Sequence, residues 1–150
     1  ALSMTASVGY INAEYTEVLT DSATGPVDVS DDWEFSFTPE WTGSLSLNHR
    51  QSLDAMGSLS LMLAGSYRSD TRTFPNAASM VDEEAYILVD ASAVWRSADE
   101  HWSTALHGKN LTGKEYRVGG YNFPSLGGEA SIIGYYGNPR TVTLDVGYSF

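Results

Sequence analysis

The chain has 150 residues, with 19 acidic and 8 basic side chains and a formal net charge of −11. The length suits a single domain, and the acidic balance excludes nucleic-acid binding because few cations could neutralise phosphates. The lack of cysteine excludes disulfides and thiolate metal sites. No stretch approaches the ~20 apolar residues of a membrane helix, whereas abundant Gly, Ser, Thr and Tyr favour strands and turns.

Six segments alternate between apolar and polar residues, which is the pattern of a β-strand with two unlike faces. They lie at about Leu2 to Tyr15, Trp41 to Arg50, Ser58 to Ser69, Ala85 to Arg96, Trp102 to Asn110 and Arg140 to Phe150. The last is the most regular, since Val142, Leu144 and Val146 alternate with Thr143 and Asp145. The alternation predicts an all-β, antiparallel meander.

The connections between these segments alternate between long and short along the chain. Residues 51–57 and 97–101 are short connections, whereas residues 16–40, 70–84 and 111–139 are long. In a meander all the long loops then gather at one end, as in bacterial outer-membrane barrels. Aromatic residues lie near both ends of the segments: Tyr10, Trp41, Tyr67, Tyr86, Trp95, Trp102, Tyr148 and Phe150. Such girdles favour about six transmembrane strands with the apolar face toward lipid.

The opposite face carries Ser, Thr, Asn and a few charges, which suits a wet interior wall. Antiparallel pairing across the turn after Arg96 keeps Asp90 on the same face as His107 and Lys109. We therefore expect Asp90 to pair with His107 or Lys109 on the inner wall.

Two C-terminal stretches carry a more specific signal. "GKNLTGKEYRVGGYNFP" (Gly108 to Pro124) and "GYYGNPRTVTLDVGYSF" (Gly134 to Phe150) resemble the C-terminal end of TonB-dependent outer-membrane receptors. "FTPEWTGSLSLNHR" (Phe37 to Arg50) resembles a strand entry further upstream in that family. Gly113 departs from the family, which commonly has Asp at that position.

The resemblance implies that residues 1–150 are the C-terminal part of a 22-stranded outer-membrane β-barrel, without the plug domain and the TonB-contacting segment. Six strands cannot close such a barrel, for which eight is the usual minimum. The resemblance also implies that Tyr148 and Phe150 form a terminal aromatic signal for the barrel assembly machinery. We expect 116–123 and 130–136 to pair as a hairpin above the membrane and prolong the flanking strands.

By the same resemblance, the chain belongs to the outer membrane and serves uptake of a scarce ligand, most often a ferric siderophore. Expected partners are outer-membrane lipid and lipopolysaccharide, the rest of the barrel and its plug, and the TonB complex. The last long loop has a basic and aromatic mix suited to an anionic, ring-bearing metal complex. Its candidate ligand residues are Arg117, Tyr121, Asn122, Phe123, Tyr135 and Tyr136. The alternative is that these aromatics pack the loop itself.

We expect no catalysis, cofactor or protein-bound metal. His49, His101 and His107 are scattered, without triad or paired-carboxylate spacing. The acidic first loop lacks calcium-loop spacing in "DVSDDWE", so a solvated charge run is the simpler interpretation. Two other functions stay open: a small self-standing barrel with an adhesive or structural role, and a soluble carbohydrate-binding sandwich.

Overall fold

The computed structural model describes residues 1–76, 79–123 and 131–150, apart from the side chain of Asn122. Within these ranges the strands in chain order are β1 Leu2–Tyr10, β2 Leu19–Ser22, β3 Gly25–Asp28, β4 Trp41–Ser52, β5 Ser58–Arg68, β6 Tyr86–Arg96, β7 Trp102–Lys109, β8 Arg117–Phe123, β9 Ser131–Tyr136 and β10 Thr141–Tyr148. Two single-turn 3₁₀ helices, Ser30–Asp32 and Asp54–Met56, complete the described elements. No helix in the described ranges is long and apolar enough to span a membrane.

Six of these strands form one antiparallel sheet in the order β1-β4-β5-β6-β7-β10. These are the six strands that the alternating sequence predicts, and consecutive members of the sheet are neighbours, as in a meander. In the described part of the chain, β1 and β10 are the edges of the sheet, which therefore stays open. An all-β antiparallel meander is the fold that the sequence predicts, and this prediction is confirmed.

The pairing register of the strands aligns the two faces of each strand with those of its neighbours across the sheet. On one face Leu61 of β5 lies opposite Ala93 of β6, Ala93 lies opposite Leu106 of β7, and Leu106 lies opposite Leu144 of β10. We call this the apolar face. On the other, the polar face, Ser92 lies opposite His107 and His107 lies opposite Thr143. Because side chains alternate along every strand, one consistent register keeps the mainly apolar positions on one surface and the more polar positions on the other.

No second layer covers the apolar face in the described part of the chain. Leu144 remains 65% exposed. Among the described residues, the one buried hydrophobic side chain is Val81, which lies in a connecting loop and not on the sheet. The rows Leu59–Leu63 and Val142–Val146 lie on the same face of one sheet, separated by β6 and β7, and do not face each other across an interior. A sandwich would press such rows together in a dry core. The arrangement thus disagrees with the sandwich alternative.

The two ends of the sheet differ in the length of their connections, as the sequence predicts. Residues 53–57 join β4 to β5 and residues 97–101 join β6 to β7, both at one end. Gly57 adopts φ of 96°, and a Cβ there would lie 1.9 Å from the carbonyl oxygen of Arg96. Only glycine allows the first turn to approach the second so closely. The long connections 11–40, 69–85 and 110–140 gather at the other end; we call them the first, second and third loops.

Aromatic residues of the apolar face meet near both ends of the sheet. Tyr10 and Trp41 have ring centroids 4.5 Å apart at the long-loop end, and Trp102 and Tyr148 have centroids 4.8 Å apart at the short-turn end. Tyr86 does not belong to the girdle in which we expected it. Its position opposite Arg68 places it on the polar face, where it stacks on Tyr116 with centroids 4.9 Å apart.

The first and third loops contain hairpins of their own. β2 and β3 pair within the first loop, which the sequence did not predict. β8 and β9 pair within the third loop, as predicted, with Tyr121 opposite Ile133. This hairpin is a separate two-stranded sheet instead of a continuation of β7 and β10. Gly113 lies between β7 and β8 with φ of 67°, a conformation that suits glycine better than the Asp of the related family.

Candidate functional site

The three loops are joined to one another at the long-loop end. The first loop docks on the second through Arg72, whose guanidinium lies 2.6 Å from the carboxylate of Glu34. The backbone adds two hydrogen bonds: the N–H of Glu34 donates to the carbonyl of Pro75, and that of Phe37 donates to the carbonyl of Arg72, each at 2.8 Å. Arg68, at the end of β5, also donates to the carbonyl of Phe37 at 2.7 Å. The acidic first loop is therefore held on the second by specific contacts.

Local contacts shape the first loop as well. The rings of Tyr15 and Phe35 stack with centroids 4.3 Å apart, and Trp33 meets Tyr15 edge to face at 5.8 Å. Asp28 accepts hydrogen bonds from the backbone N–H of Val18 at 2.9 Å and of Ser30 at 3.0 Å. These bonds, that from Val18 first, lower the pKa of the Asp28 carboxyl because they stabilise its charged form. One carboxylate of the acidic run is thus a structural hydrogen-bond acceptor.

Glu83 joins the second loop to the third. This side chain is only 8% exposed, and its Oε2 accepts hydrogen bonds from the backbone N–H of Arg117 at 2.8 Å and from its Nε at 3.1 Å. Lys114 approaches the other oxygen, with Nζ 3.8 Å from Oε1. Arg117 also donates to the carbonyl of Met80. A buried carboxylate with two cationic partners ties the start of β8 to the loop before β6.

The predicted ligand residues fall into two groups. Tyr121, Phe123 and Tyr135 form one aromatic patch on the hairpin: the ring centroids of Tyr121 and Phe123 are 5.7 Å apart, and those of Tyr121 and Tyr135 are 5.8 Å apart. Tyr121 and Tyr135 stay 52% and 50% exposed. Phe37 of the first loop approaches the same face of the hairpin, 4.0 Å from where a Cβ of Gly119 would be.

The other candidates are placed differently. Arg117 has its guanidinium turned to Glu83 and Met80, so its role in the structure is to hold the hairpin. Tyr136 is exposed and lines a separate cleft near Lys114 and Arg140. The side chain of Asn122 lies outside the described part of the structure. Direct ligand contact by these six residues stays a prediction.

On the polar face, Asp90 and His107 have partners other than each other. The carboxylate of Asp90 accepts a hydrogen bond from the backbone N–H of Asn110 at 2.8 Å. His107 instead lies against β10, with Nε2 3.7 Å from Oδ2 of Asp145. These contacts differ from the expected pairing of Asp90 with His107 or Lys109, which stays a prediction. The register places all three residues on the polar face, and the position of this face on an inner wall stays a prediction.

Tyr148 and Phe150 lie at the short-turn end beside Trp102, and the Tyr148 and Phe150 rings meet edge to face at 5.1 Å. Their role as an assembly signal stays a prediction. Among the described residues, no group of three or more His, Asp or Glu side chains is arranged to hold a metal ion. Sequence reasoning missed Glu83 and Phe37, since nothing local to either residue marks its contact with the third loop.

Two solved structures share this fold. The siderophore receptor PiuA from Acinetobacter baumannii matches 98% of this chain and 19% of its own, with a TM-score of 0.71 and 18% identity. The ferric yersiniabactin uptake receptor FyuA from Yersinia pestis matches 77% of this chain and 17% of its own, with a TM-score of 0.64 and 22% identity. No protein-family model matches the chain, and no curated protein does.

The chain thus spans about one fifth of the length of these two receptors. Their likeness is one of fold, and it agrees with the family resemblance read from Gly108 to Pro124 and Gly134 to Phe150. The chain therefore has the fold of a segment of the β-barrel of a TonB-dependent receptor.

Proposed function

We propose that this chain forms part of the barrel wall and three external loops of an outer-membrane receptor that takes up ferric siderophores. The mechanism is binding followed by gated passage, without bond chemistry. The rest of the barrel, an internal plug and the TonB complex supply the functions that this segment lacks, and the barrel assembly machinery inserts it.

One observation carries this proposal: a single open sheet has an uncovered apolar face, a polar face and all its long loops at one end. An apolar sheet face in water would be an aggregation surface, whereas lipid covers it without cost. The polar face then lines a hydrated interior, where the hydrogen bond of Asp90 and the contact of His107 with Asp145 stay in reach of water.

The two alternatives have less support. A sandwich needs a second layer on the apolar face, and the described part of the chain has none. A small self-standing barrel needs about eight spanning strands, whereas six strands form the main sheet here.

The aromatic patch of Tyr121, Phe123 and Tyr135 is the part of the segment best suited to meet the ligand. Its rings are half exposed on an external hairpin. Catecholate or other ring-bearing metal complexes would stack on such a patch, each ring contact adding about 0.5–1.5 kcal/mol. Arg117 supports this patch by anchoring the hairpin to Glu83.

The membrane part of the proposal is tested by single cysteines; these 150 residues contain none, and any cysteine elsewhere in the complete gene product is first replaced by serine. Spin labels at Val142, Thr143, Leu144 and Asp145 are compared in the complete gene product reconstituted in lipid. We expect labels at Val142 and Leu144 to collide with dissolved oxygen, and labels at Thr143 and Asp145 to collide with a water-soluble nickel chelate. Labels at Val142 and Leu144 that are shielded from both reagents would show a dry protein core and reject the proposal.

The ligand part is tested by binding of a panel of ferric siderophores to whole cells. Tyr121→Ala and Tyr135→Ala should each weaken binding about 2- to 10-fold, the loss of one ring contact. Tyr15→Ala is the matched control, since Tyr15 packs inside the first loop on Phe35. If all three variants bind the siderophores as tightly as the parent, the aromatic patch is not part of the ligand site.

A further inference from the structure

The second loop folds into a strap between the first and the third loop. The strap consists of residues 71–73 and 81–83, two short segments that run antiparallel to each other. Thr71 of the first segment and Glu83 of the second exchange both of their backbone hydrogen bonds, at 2.9 and 3.1 Å. These two bonds fasten the segments to each other close to the ends of β5 and β6.

The strap has a buried interior that the hydrogen bonds of Thr73 close. The N–H of Thr73 donates to the carboxylate of Asp82 at 2.7 Å, and its hydroxyl donates to the carbonyl of Val81 at 2.8 Å. Thr73 and Val81 are only 7% and 3% exposed. Because buried polar groups need their partners, the strap has two states: it is closed with these bonds made, or open with the same groups hydrated.

The two segments of the strap hold different loops. Arg72 of the first segment holds Glu34 of the first loop, with 2.6 Å between guanidinium and carboxylate. Glu83 of the second segment holds Arg117 at the start of the third-loop hairpin, with 3.1 Å between Oε2 and Nε. Arg72 directly follows Thr71, which is the bridge partner of Glu83. The two ion pairs therefore lie at neighbouring positions of one strap.

We propose that the strap couples the first loop to the β8–β9 hairpin, so that loosening one of them loosens the other. Loss of the contact between Glu34 and Arg72 frees the first segment, and a strap that opens releases Glu83 and with it the hairpin. Such a coupling is a free energy shared by two sites, and it acts equally in both directions. The first loop thereby regulates the position of the aromatic patch, a consequence that rests on the proposed function.

The test measures amide hydrogen exchange of the hairpin, at residues 117–121, in the complete gene product at one pH and without any ligand. Glu34→Gln keeps the shape of the side chain and removes its charge, and it should speed hairpin exchange about 3-fold or more. Glu17→Gln is the matched control, because Glu17 is an exposed acid of the same loop, whereas Arg72 pairs with Glu34. The control should exchange at the rate of the parent.

Variants of Thr73 test whether the coupling runs through the strap. Thr73→Val removes the hydroxyl that donates to Val81 and should itself speed hairpin exchange, so that adding Glu34→Gln has no further effect. Thr73→Ser keeps a hydroxyl and should preserve the coupling. Because coupling is reciprocal, Glu83→Gln should also speed exchange of the Phe37 amide, which donates to the carbonyl of Arg72 in the first segment.

Heat-resistant mobility on gels identifies the variants that have folded barrels. Asp82→Asn, which weakens the bond to the N–H of Thr73, replaces Thr73→Val if the latter fails to fold. The inference is overturned if hairpin exchange is unchanged in Glu34→Gln, or if the effect of Glu34→Gln persists in full when the strap is cut. The second result would assign the coupling to a direct approach of the loops, such as that of the Phe37 ring to Gly119. The exchange measurement needs no siderophore, so a parent that binds none would refute the proposed function alone.

Discussion

Arg117 and Glu83 meet across two loops, with Nε of the guanidinium 3.1 Å from Oε2 of a carboxylate that is almost fully buried. The backbone N–H of Arg117 donates to the same oxygen. Removing one partner of such a pair leaves the other uncompensated away from water, which is costly. The third loop is therefore held on the second by one charged contact at the base of its hairpin.

Glu83→Gln is expected to loosen the β8–β9 hairpin. A neutral amide keeps the shape but loses charge-assisted bonds to Arg117 and Lys114, a local cost of about 1.5–3 kcal/mol. Amide hydrogen exchange of residues 117–121 should accelerate at least about 10-fold. Glu115→Gln is the control, since Glu115 is an exposed carboxylate beside Lys114. Equal exchange in both variants would mean that Glu83 does not hold the hairpin.

Gly120→Ala and Gly119→Ala form a matched pair that tests how the hairpin packs. A Cβ at Gly120 would lie 2.6 Å from the carbonyl oxygen of Ile133 and 2.8 Å from Val81 Cβ, whereas one at Gly119 would meet only ordinary contacts at 4.0 Å. Overpacking of this kind costs about 1–3 kcal/mol. Limited proteolysis of the third loop should therefore be faster for Gly120→Ala alone. Similar rates for both variants would contradict the packing of Gly120 on Val81.

The first loop should be sensitive to acid through Asp28. Hydrogen bonds from Val18 and Ser30 lower the pKa of this carboxyl in the folded loop. A lowered pKa means that the carboxylate stabilises the folded loop above the ordinary value of about 4, and that this contribution is lost as pH falls below it. The protection factor of the Val18 amide, which corrects for the pH dependence of intrinsic exchange, should fall below about pH 4.

Asp28→Asn should show this low protection of the Val18 amide already at neutral pH, because it removes the charge. Asp21→Asn, a substitution at an exposed acid of the same hairpin, is the control and should behave like the parent. A Val18 protection factor that is independent of pH in the parent would exclude this role for Asp28.

Leu144→Arg and Thr143→Arg compare the two faces of the last strand. On the apolar face an arginine near the bilayer centre costs about 2–4 kcal/mol, whereas one on the polar face is solvated. We expect Leu144→Arg to reduce the heat-resistant, folded fraction in outer membranes and Thr143→Arg to leave it near the parent level. A greater loss for Thr143→Arg would reverse the assignment of the faces.

Much of the barrel wall was predictable from local pattern. The alternation of Val142, Leu144 and Val146 with Thr143 and Asp145 defines two faces without any knowledge of neighbours, because the side-chain period of a strand is two. The same reasoning wrongly placed Tyr86 in the aromatic girdle. It considered the distance of Tyr86 from the strand end and not its parity, that is, which of the two alternating faces its position in β6 belongs to. Parity alone would have assigned it to the polar face with Asp90.

The sequence by itself determined the six wall strands, their two faces and the end at which the long loops gather, because strand periodicity and turn length are local properties. Only the tertiary structure decided which loop residues meet: Glu83 with Arg117, Glu34 with Arg72, and Asn110 with Asp90. These partners are 20 to 38 residues apart in the chain, and charge or polarity of one residue does not specify a distant partner. Their pairing follows from strand register and loop packing, which bring specific atoms within hydrogen-bond distance.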